Sequence, residues 1–275
     1  MKAVVLVGGE GTRLRPLTLH TPKQMLPVGG SPMIERVLDQ LALHGVDEAV
    51  LSLGYRPDAF LAAYPHGRCG SVRLVYAVED HPLDTGGAIA FAARHGGLDE
   101  TFLALNGDVL TDLDITALVD QHVRRGARAT IALTPVSDPS AYGVVVTDAE
   151  GRVEAFVEKP APGEAPSNWV NAGTYVLDPT VLDMIPAGER VSIERVIFPA
   201  LAAEGSLYAM RSDASWIDAG TPEAYLDANL RFAGRLDGAQ VDSSARVAGS
   251  WLGPGTRVGP EAVVEGSLLL DDVVV

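Results

Sequence analysis

Ala3-Val4-Val5-Leu6-Val7-Gly8-Gly9-Glu10-Gly11-Thr12-Arg13-Leu14-Arg15-Pro16-Leu17-Thr18 is a short apolar run that breaks into a glycine-rich turn. Five apolar residues cannot cross a bilayer and are too few for the core of a signal peptide, so residues 3–7 read as a buried strand. Glycines let the backbone after it turn tightly and aim several N–H groups at one anion. Arg13 adds a delocalised charge suited to a polyphosphate. A second cation follows in Thr21-Pro22-Lys23-Gln24-Met25-Leu26-Pro27, where two prolines stiffen the segment carrying Lys23. Gly8, Gly9, Gly11, Thr12, Arg13 and Lys23 are therefore candidates for gripping the phosphates of a nucleotide. A dinucleotide fingerprint would need glycine where Leu14 stands, and the Gly-Lys-Ser/Thr of a P-loop is absent. The plainer alternative is a glycine turn with surface arginines.

Outward from that turn, short apolar runs alternate with helical periodicities. Strands are expected over 48–53, 72–76, 101–105 and 129–134, and helices over 32–43, 57–64, 86–94 and 115–125. Such alternation builds βαβ units and an α/β, Rossmann-like, mostly parallel sheet covered on both faces. Ligands of such sheets bind beyond the carboxyl ends of the strands. Both the glycine turn and Asn106-Gly107-Asp108 fall at such ends. After Pro135 the pattern loosens. Residues 143–146 and 153–158 read as paired strands, and 192–204 and 222–236 as helices.

From about residue 239 apolar residues recur nearly every six positions, at Val241, Val247, Leu252, Val258, Val264 and Leu270, with small residues between. That is the hexapeptide period of a left-handed parallel β-helix of about two coils, with one shortened step. The alternative is a floppy Gly/Ala tail. The expected domains are thus a catalytic domain over 1–236 and a hexapeptide segment over 239–275. The pattern runs to the last residue, so its edge is expected to meet further coils or another subunit, as in a homo-oligomer.

The 275 residues are 47% hydrophobic, enough for one large domain with an extension. A net charge of −15 argues against a nucleic-acid or anionic-membrane surface. It leaves room for an anionic substrate, because a few cations in one cleft suffice. Cys69 is the only cysteine, so no intrachain disulfide forms, which fits a reducing, cytoplasmic setting.

Residues 8–18 with 22–27 resemble the signature of the sugar-1-phosphate nucleotidyltransferases, G-G-x-G-T-R-L-x-P-L-T followed by P-K-x-x-x-P. The likeness covers about residues 1–235, and the tail is similar to the β-helix that several members append. Within the family the likeness runs to bacterial mannose-1-phosphate guanylyltransferases. The resemblance implies a Mg²⁺-dependent transfer of a nucleoside monophosphate from a nucleoside triphosphate to a sugar 1-phosphate, releasing pyrophosphate. It makes Asp108, and Asp218 of Trp216-Ile217-Asp218, the metal ligands. Taken alone, an aspartate after a strand would be a turn or cap residue. Mg²⁺ suits one or two carboxylates completed by phosphate oxygens and water. Arg13 and Lys23 would offset charge on the triphosphate and the departing pyrophosphate. A phosphate oxygen is already nucleophilic, so no general base is needed and none of the six histidines is given a role.

Phe156-Val157-Glu158-Lys159-Pro160 resembles the family's E-K-P segment, which implies that Lys159 holds the sugar phosphate and Glu158 a sugar hydroxyl. An exposed ion pair is the other reading of those two residues. Asn171-Ala172-Gly173 and Tyr142-Gly143 resemble further sugar-contacting segments. His81-Pro82-Leu83-Asp84-Thr85-Gly86-Gly87-Ala88 resembles the guanylyltransferase segment L-G-T-G/A-G, which places Asp84, Gly86 and Gly87 near the nucleotide. Asp84 stands where most members carry glycine. Upstream, Glu79 could accept from both N1–H and the 2-amino group of guanine, whereas glutamine suits thymine or uracil; a solvated strand-end carboxylate is the alternative. Lys23-Gln24, in contrast, is more like thymidylyltransferases. GTP with mannose 1-phosphate, giving GDP-mannose, is the expected pair. Glucose 1-phosphate with dTTP is the alternative, and a cyclitol phosphate a further one. A silent regulatory subunit would be expected to have lost the loop arginine or a metal aspartate, yet Arg13, Lys23, Asp108 and Asp218 are all present.

Overall fold

Strands β1 (Lys2–Leu6), β2 (Glu48–Leu53), β3 (Val72–Val78) and β4 (Phe102–Asn106) lie side by side in the order β4-β1-β2-β3, all parallel. The structure, a computed structural model, describes residues 1–233 and 238–275. Parallel neighbours need crossover connections, and α1 (Met33–Leu43), α2 (Pro57–Ala63) and α3 (Asp84–His95) supply them. Every residue of β2 is buried, as a strand covered on both faces requires.

The second half adds β5 (Val109–Thr111), α4 (Ile115–Arg125), β6 (Ala129–Pro135), β7 (Gly143–Thr147), β8 (Val153–Glu158) and β9 (Trp169–Leu177). It continues with α5 (Phe198–Ala203), β10 (Leu207–Arg211), β11 (Trp216–Asp218) and α6 (Pro222–Leu230). The bounds read at 48–53, 115–125 and 153–158 coincide with β2, α4 and β8. Strand β9 runs antiparallel to β4 and to β6, and β10 joins β6 in parallel. The register of β9 shifts between Asn171 and Tyr175. Before the shift it pairs with β7 at Val170; after it, residues 174–177 pair with β4. The sheet therefore forks at Asn171-Ala172-Gly173. Strands β5 and β11 leave the sheet as an antiparallel ribbon with Val109 opposite Asp218.

Residues 192–204, expected as one helix, begin instead with a π-turn over Ile193–Ile197 that leads into α5. Pro199 lacks the N–H that would continue an α-helical ladder back into that turn. Helix α6 stops at Leu230. The rest of the helix expected to 236, and the domain boundary there, reach residues 234–237, which lie outside the described residues.

Two apolar cores cover the sheet, one around Ile89, Phe102, Tyr175 and Phe198, the other around Ile34, Leu38, Phe60 and Leu118. A third, smaller cluster holds Leu14, Leu26, Val28, Met33, Ile217, Ala219, Tyr225 and Ala228. Beyond Gly238 short strands pair in parallel, Gln240 with Arg257, Arg246 with Val263 and Trp251 with Leu268, at the same offset each time. Leu252, Val258 and Val264 fill a small core between them, while Val241 is exposed. Among the described residues no helix is long and apolar enough to cross a membrane.

Candidate active site

The glycine turn sits at the carboxyl end of β1. Gly11, at φ 61°, leads into a 3₁₀ turn over Thr12–Leu14. The Thr18 hydroxyl donates to the Gly11 carbonyl at 2.8 Å and closes the loop. Among the described residues, the backbone N–H groups of residues 8–13 donate to no protein acceptor. Several unspent amides on one turn are an anion cradle.

The β5–β11 ribbon brings together two aspartates that are distant in sequence. Asp108 precedes β5 and Asp218 ends β11, and the Ala219 N–H donates to the Asp108 carbonyl at 3.0 Å. Lys23, on its own 3₁₀ turn (Lys23–Met25), reaches in and forms an ion pair with the Asp108 carboxylate. Arg13 lies over Gly220 beside Asp218. A Cβ at Gly220 would stand 2.6 Å from Arg13 Nη2 and 2.9 Å from Asp218 Oδ1. Asp218 Oδ1 is buried without a hydrogen-bond partner. Burial pushes the Asp218 carboxyl above its usual range and the neighbouring Asp108 adds to this, while Lys23, Arg13 and the Gly220 N–H oppose it. Adjacent carboxylates with an unsatisfied buried oxygen fit a divalent cation. Among the described residues no group of three or more His, Cys, Asp or Glu could hold one. Two carboxylates suffice for an ion that takes substrate phosphate and water as its remaining ligands.

A cleft of about 120 Å³ runs from Asp218 to the fork in the sheet. Tyr142, Gly143, Glu158 and Asn171 line it, together with Asn106 and two side chains given no role in the sequence reading, Glu194 and Trp216. Tyr142 meets Trp216 edge-on at 5.5 Å, and Trp216 Nε1 donates to the Ala172 carbonyl at 3.0 Å. Asn171 donates to the Tyr175 hydroxyl at 2.8 Å and accepts from the Gly173 N–H at 3.0 Å. Burial raises the Glu158 carboxyl, Glu194 adds to it, and Lys159 and Arg195 oppose. Hydroxyls of Thr85 and Ser192 hold the Glu194 carboxylate at 2.5 and 2.8 Å. Glu194 lies on the π-turn, a geometry that recurs at functional sites. No local motif marks it, because only the fold brings that turn against β8 and the start of α3. Lys159 is exposed at φ 50°, with Nζ 3.8 Å from Glu158, and does not line the cleft.

On the other side of the glycine turn, Glu79 accepts from the Ser52 hydroxyl at 2.8 Å and the Leu83 N–H at 3.3 Å. A Cβ on Gly8 would stand 3.5 Å from its Oε1, so Glu79 borders the glycine turn. Asp84 opens α3 at φ 61°, a conformation glycine adopts without strain. Its carboxylate accepts from the Thr85 N–H and faces Arg190 at 3.7 Å. Gly86 and Gly87 both donate to the Val191 carbonyl, at 2.8 and 3.0 Å. Their amides tie α3 to the loop before the π-turn.

The chain belongs to the nucleotidyl transferase family, which it matches over residues 2–234, and is an enzyme of that class. It is 39% identical over 291 residues to the mannose-1-phosphate guanylyltransferase of Mycobacterium tuberculosis, covering 98% of this chain and 80% of that one. It is 41% identical over 230 residues to the mannose-1-phosphate guanyltransferase of Aspergillus fumigatus, covering 82% of this chain and 62% of that one. Among solved structures it resembles HddC from Yersinia pseudotuberculosis, with a TM-score of 0.72 and 29% identity over 84% of this chain and 99% of that one. HddC has also been solved in complex with GMP-PN.

Proposed function

We propose that this chain transfers GMP from GTP to mannose 1-phosphate, giving GDP-mannose and pyrophosphate. One observation carries the reading. Arg13, Lys23, Asp108 and Asp218 meet at the mouth of the cleft that holds Glu158, Asn171 and Glu194. In this reading the free amides of residues 8–13, with Arg13 and Lys23, bind the triphosphate. Glu158, Glu194 and Asn171 take sugar hydroxyls, and Lys159 reaches the sugar phosphate from the rim. An oxygen of the sugar phosphate bonds to the α-phosphorus as the bond to pyrophosphate breaks, with no proton to move. Asp108 and Asp218 would hold Mg²⁺, which supplies charge neutralisation at the phosphates. Guanine is supported by Glu79, whose carboxylate is pre-positioned by Ser52 and Leu83 and retains lone pairs for N1–H and the 2-amino group. The names of the Mycobacterium and Aspergillus relatives point the same way.

The same reading takes residues 239–275 as a left-handed parallel β-helix, supported by the hexapeptide spacing and the constant pairing offset. It takes the protein as a homo-oligomer and as cytoplasmic, the latter consistent with its phosphorylated substrates. The test is pyrophosphate release over a grid of nucleoside triphosphates and sugar 1-phosphates with Mg²⁺. GTP with mannose 1-phosphate is expected to give the highest kcat/KM. Preference for dTTP with glucose 1-phosphate would overturn the base and sugar assignments, and no release with any pair would overturn the reaction.

A further inference from the structure

The segments carrying Arg13, Lys23 and Asp218 meet over the small third core. Leu14 follows Arg13, Leu26 closes the Lys23 turn, and Ile217 and Ala219 flank Asp218. The Lys23 turn continues into a short ribbon, Pro27–Val28 with Ser31–Pro32. Helix α6, which starts just after Asp218, grips that ribbon twice. The Tyr225 hydroxyl donates to the Pro27 carbonyl at 2.6 Å. Asn229 Oδ1 accepts from the Gly29 N–H at 3.0 Å, while its Nδ2 donates to the Tyr225 carbonyl at 3.0 Å. Both side chains are buried, Asn229 completely. From the other side, Arg36 of α1 donates to the carbonyls of Val28 and Gly29 at 3.1 and 3.0 Å. Fully satisfied buried polar contacts fix a geometry that apolar packing alone leaves loose. Neither Tyr225, Asn229 nor Arg36 lines the sugar cleft.

We propose that Tyr225 and Asn229 are positioning residues that tie the Lys23 turn to the helix following Asp218 and so set the Lys23 ammonium against the two aspartates. The inference rests on the roles given above to Lys23 and Asp218. It makes α6 a brace between the cation and carboxylate halves of the site. Loosening the brace leaves the sugar cleft intact, so the chemical step slows while sugar-phosphate binding is kept.

The test is a kinetic cycle on the whole chain. Tyr225→Phe removes only the hydroxyl. It is expected to lower kcat about tenfold, with KM for the sugar 1-phosphate unchanged. In a Lys23→Met background the same substitution should change kcat by less than about twofold, because the group it positions is gone. Arg36→Met releases the ribbon from its half-buried side without emptying the core; it should show the same pattern and decides the matter if Tyr225→Phe does not fold. Parental kcat in both variants, or equal losses in both backgrounds while Lys23→Met is itself impaired, overturns the inference alone. A fully active Lys23→Met overturns the role of Lys23 and the inference with it.

Discussion

Gly220→Ala separates the electrostatic arrangement of the site from its fold. Gly220 lies between Asp218 and the N-cap Thr221, and its φ is outside the left-handed region, so the backbone accepts alanine. The new Cβ would meet Arg13 Nη2 at 2.6 Å and Asp218 Oδ1 at 2.9 Å, where ordinary contact begins at 3.4 Å. The guanidinium must therefore withdraw by about 0.8 Å (3.4 less 2.6) and the carboxylate by about 0.5 Å (3.4 less 2.9). A guanidinium at the end of a flexible side chain can give way at small cost. Alanine also restricts the unfolded chain, which stabilises by about 0.4–1 kcal/mol and offsets that cost. The thermal midpoint should accordingly stay within about 3 °C. Turnover is less forgiving, since a 1 Å misplacement costs on the order of 10²-fold. We expect kcat for pyrophosphate release to fall roughly 30- to 100-fold, about 2–2.7 kcal/mol of transition-state stabilisation. A folded Gly220→Ala enzyme with kcat within about threefold of the parent would refute the claim that the Arg13–Asp218 geometry matters.

Other substitutions and titrations probe separate parts of the site and fold. Asp108→Asn keeps the shape of the side chain but removes the charge facing Lys23 and Asp218; turnover should drop on the order of 10²–10³-fold with the thermal midpoint retained, and near-parental rates across Mg²⁺ concentrations would count against a metal role. Glu158 must be ionised to accept from sugar hydroxyls. Burial and Glu194 raise its pKa above the ordinary 4.5, so KM for the sugar phosphate should climb as pH falls toward that raised value. Glu158→Gln should flatten this limb, and an unaltered limb would exclude Glu158 as its source. His122 is buried and its Nδ1 lies 3.0 Å from the Thr130 hydroxyl, with its pKa held below 6.5 by desolvation. A depressed folded pKa gives stability that is present above 6.5 and lost as pH falls through the folded value. Denaturant midpoints followed from about pH 7.5 to pH 5 should decline less in His122→Gln than in the parent; equal declines would remove His122 from the account.

What could be read from residue order was whatever depends on neighbours along the chain. Residues 48–53 show as a strand because burial on both faces leaves an unbroken apolar run, and 115–125 as a helix because one face repeats with the helical period. The glycine turn after the first strand is legible for the same reason, since its glycines and nearby cations, Arg13 and Lys23, stand close together along the chain. The short strands of the tail are legible too, their apolar residues recurring at a short period. Tertiary structure alone decided which distant segments share hydrogen bonds. It paired Val109 with Asp218 and so set the two aspartates side by side, and it forked the sheet at Asn171 to open the cleft. It brought Glu194 to that cleft and spent the Gly86 and Gly87 amides on Val191. It also turned Asp84 toward Arg190 in a left-handed conformation that its residue type does not announce. The physical reason is that local periodicity specifies which face of an element is buried, whereas partner and register are chosen by the packing of the whole chain once its loops have closed.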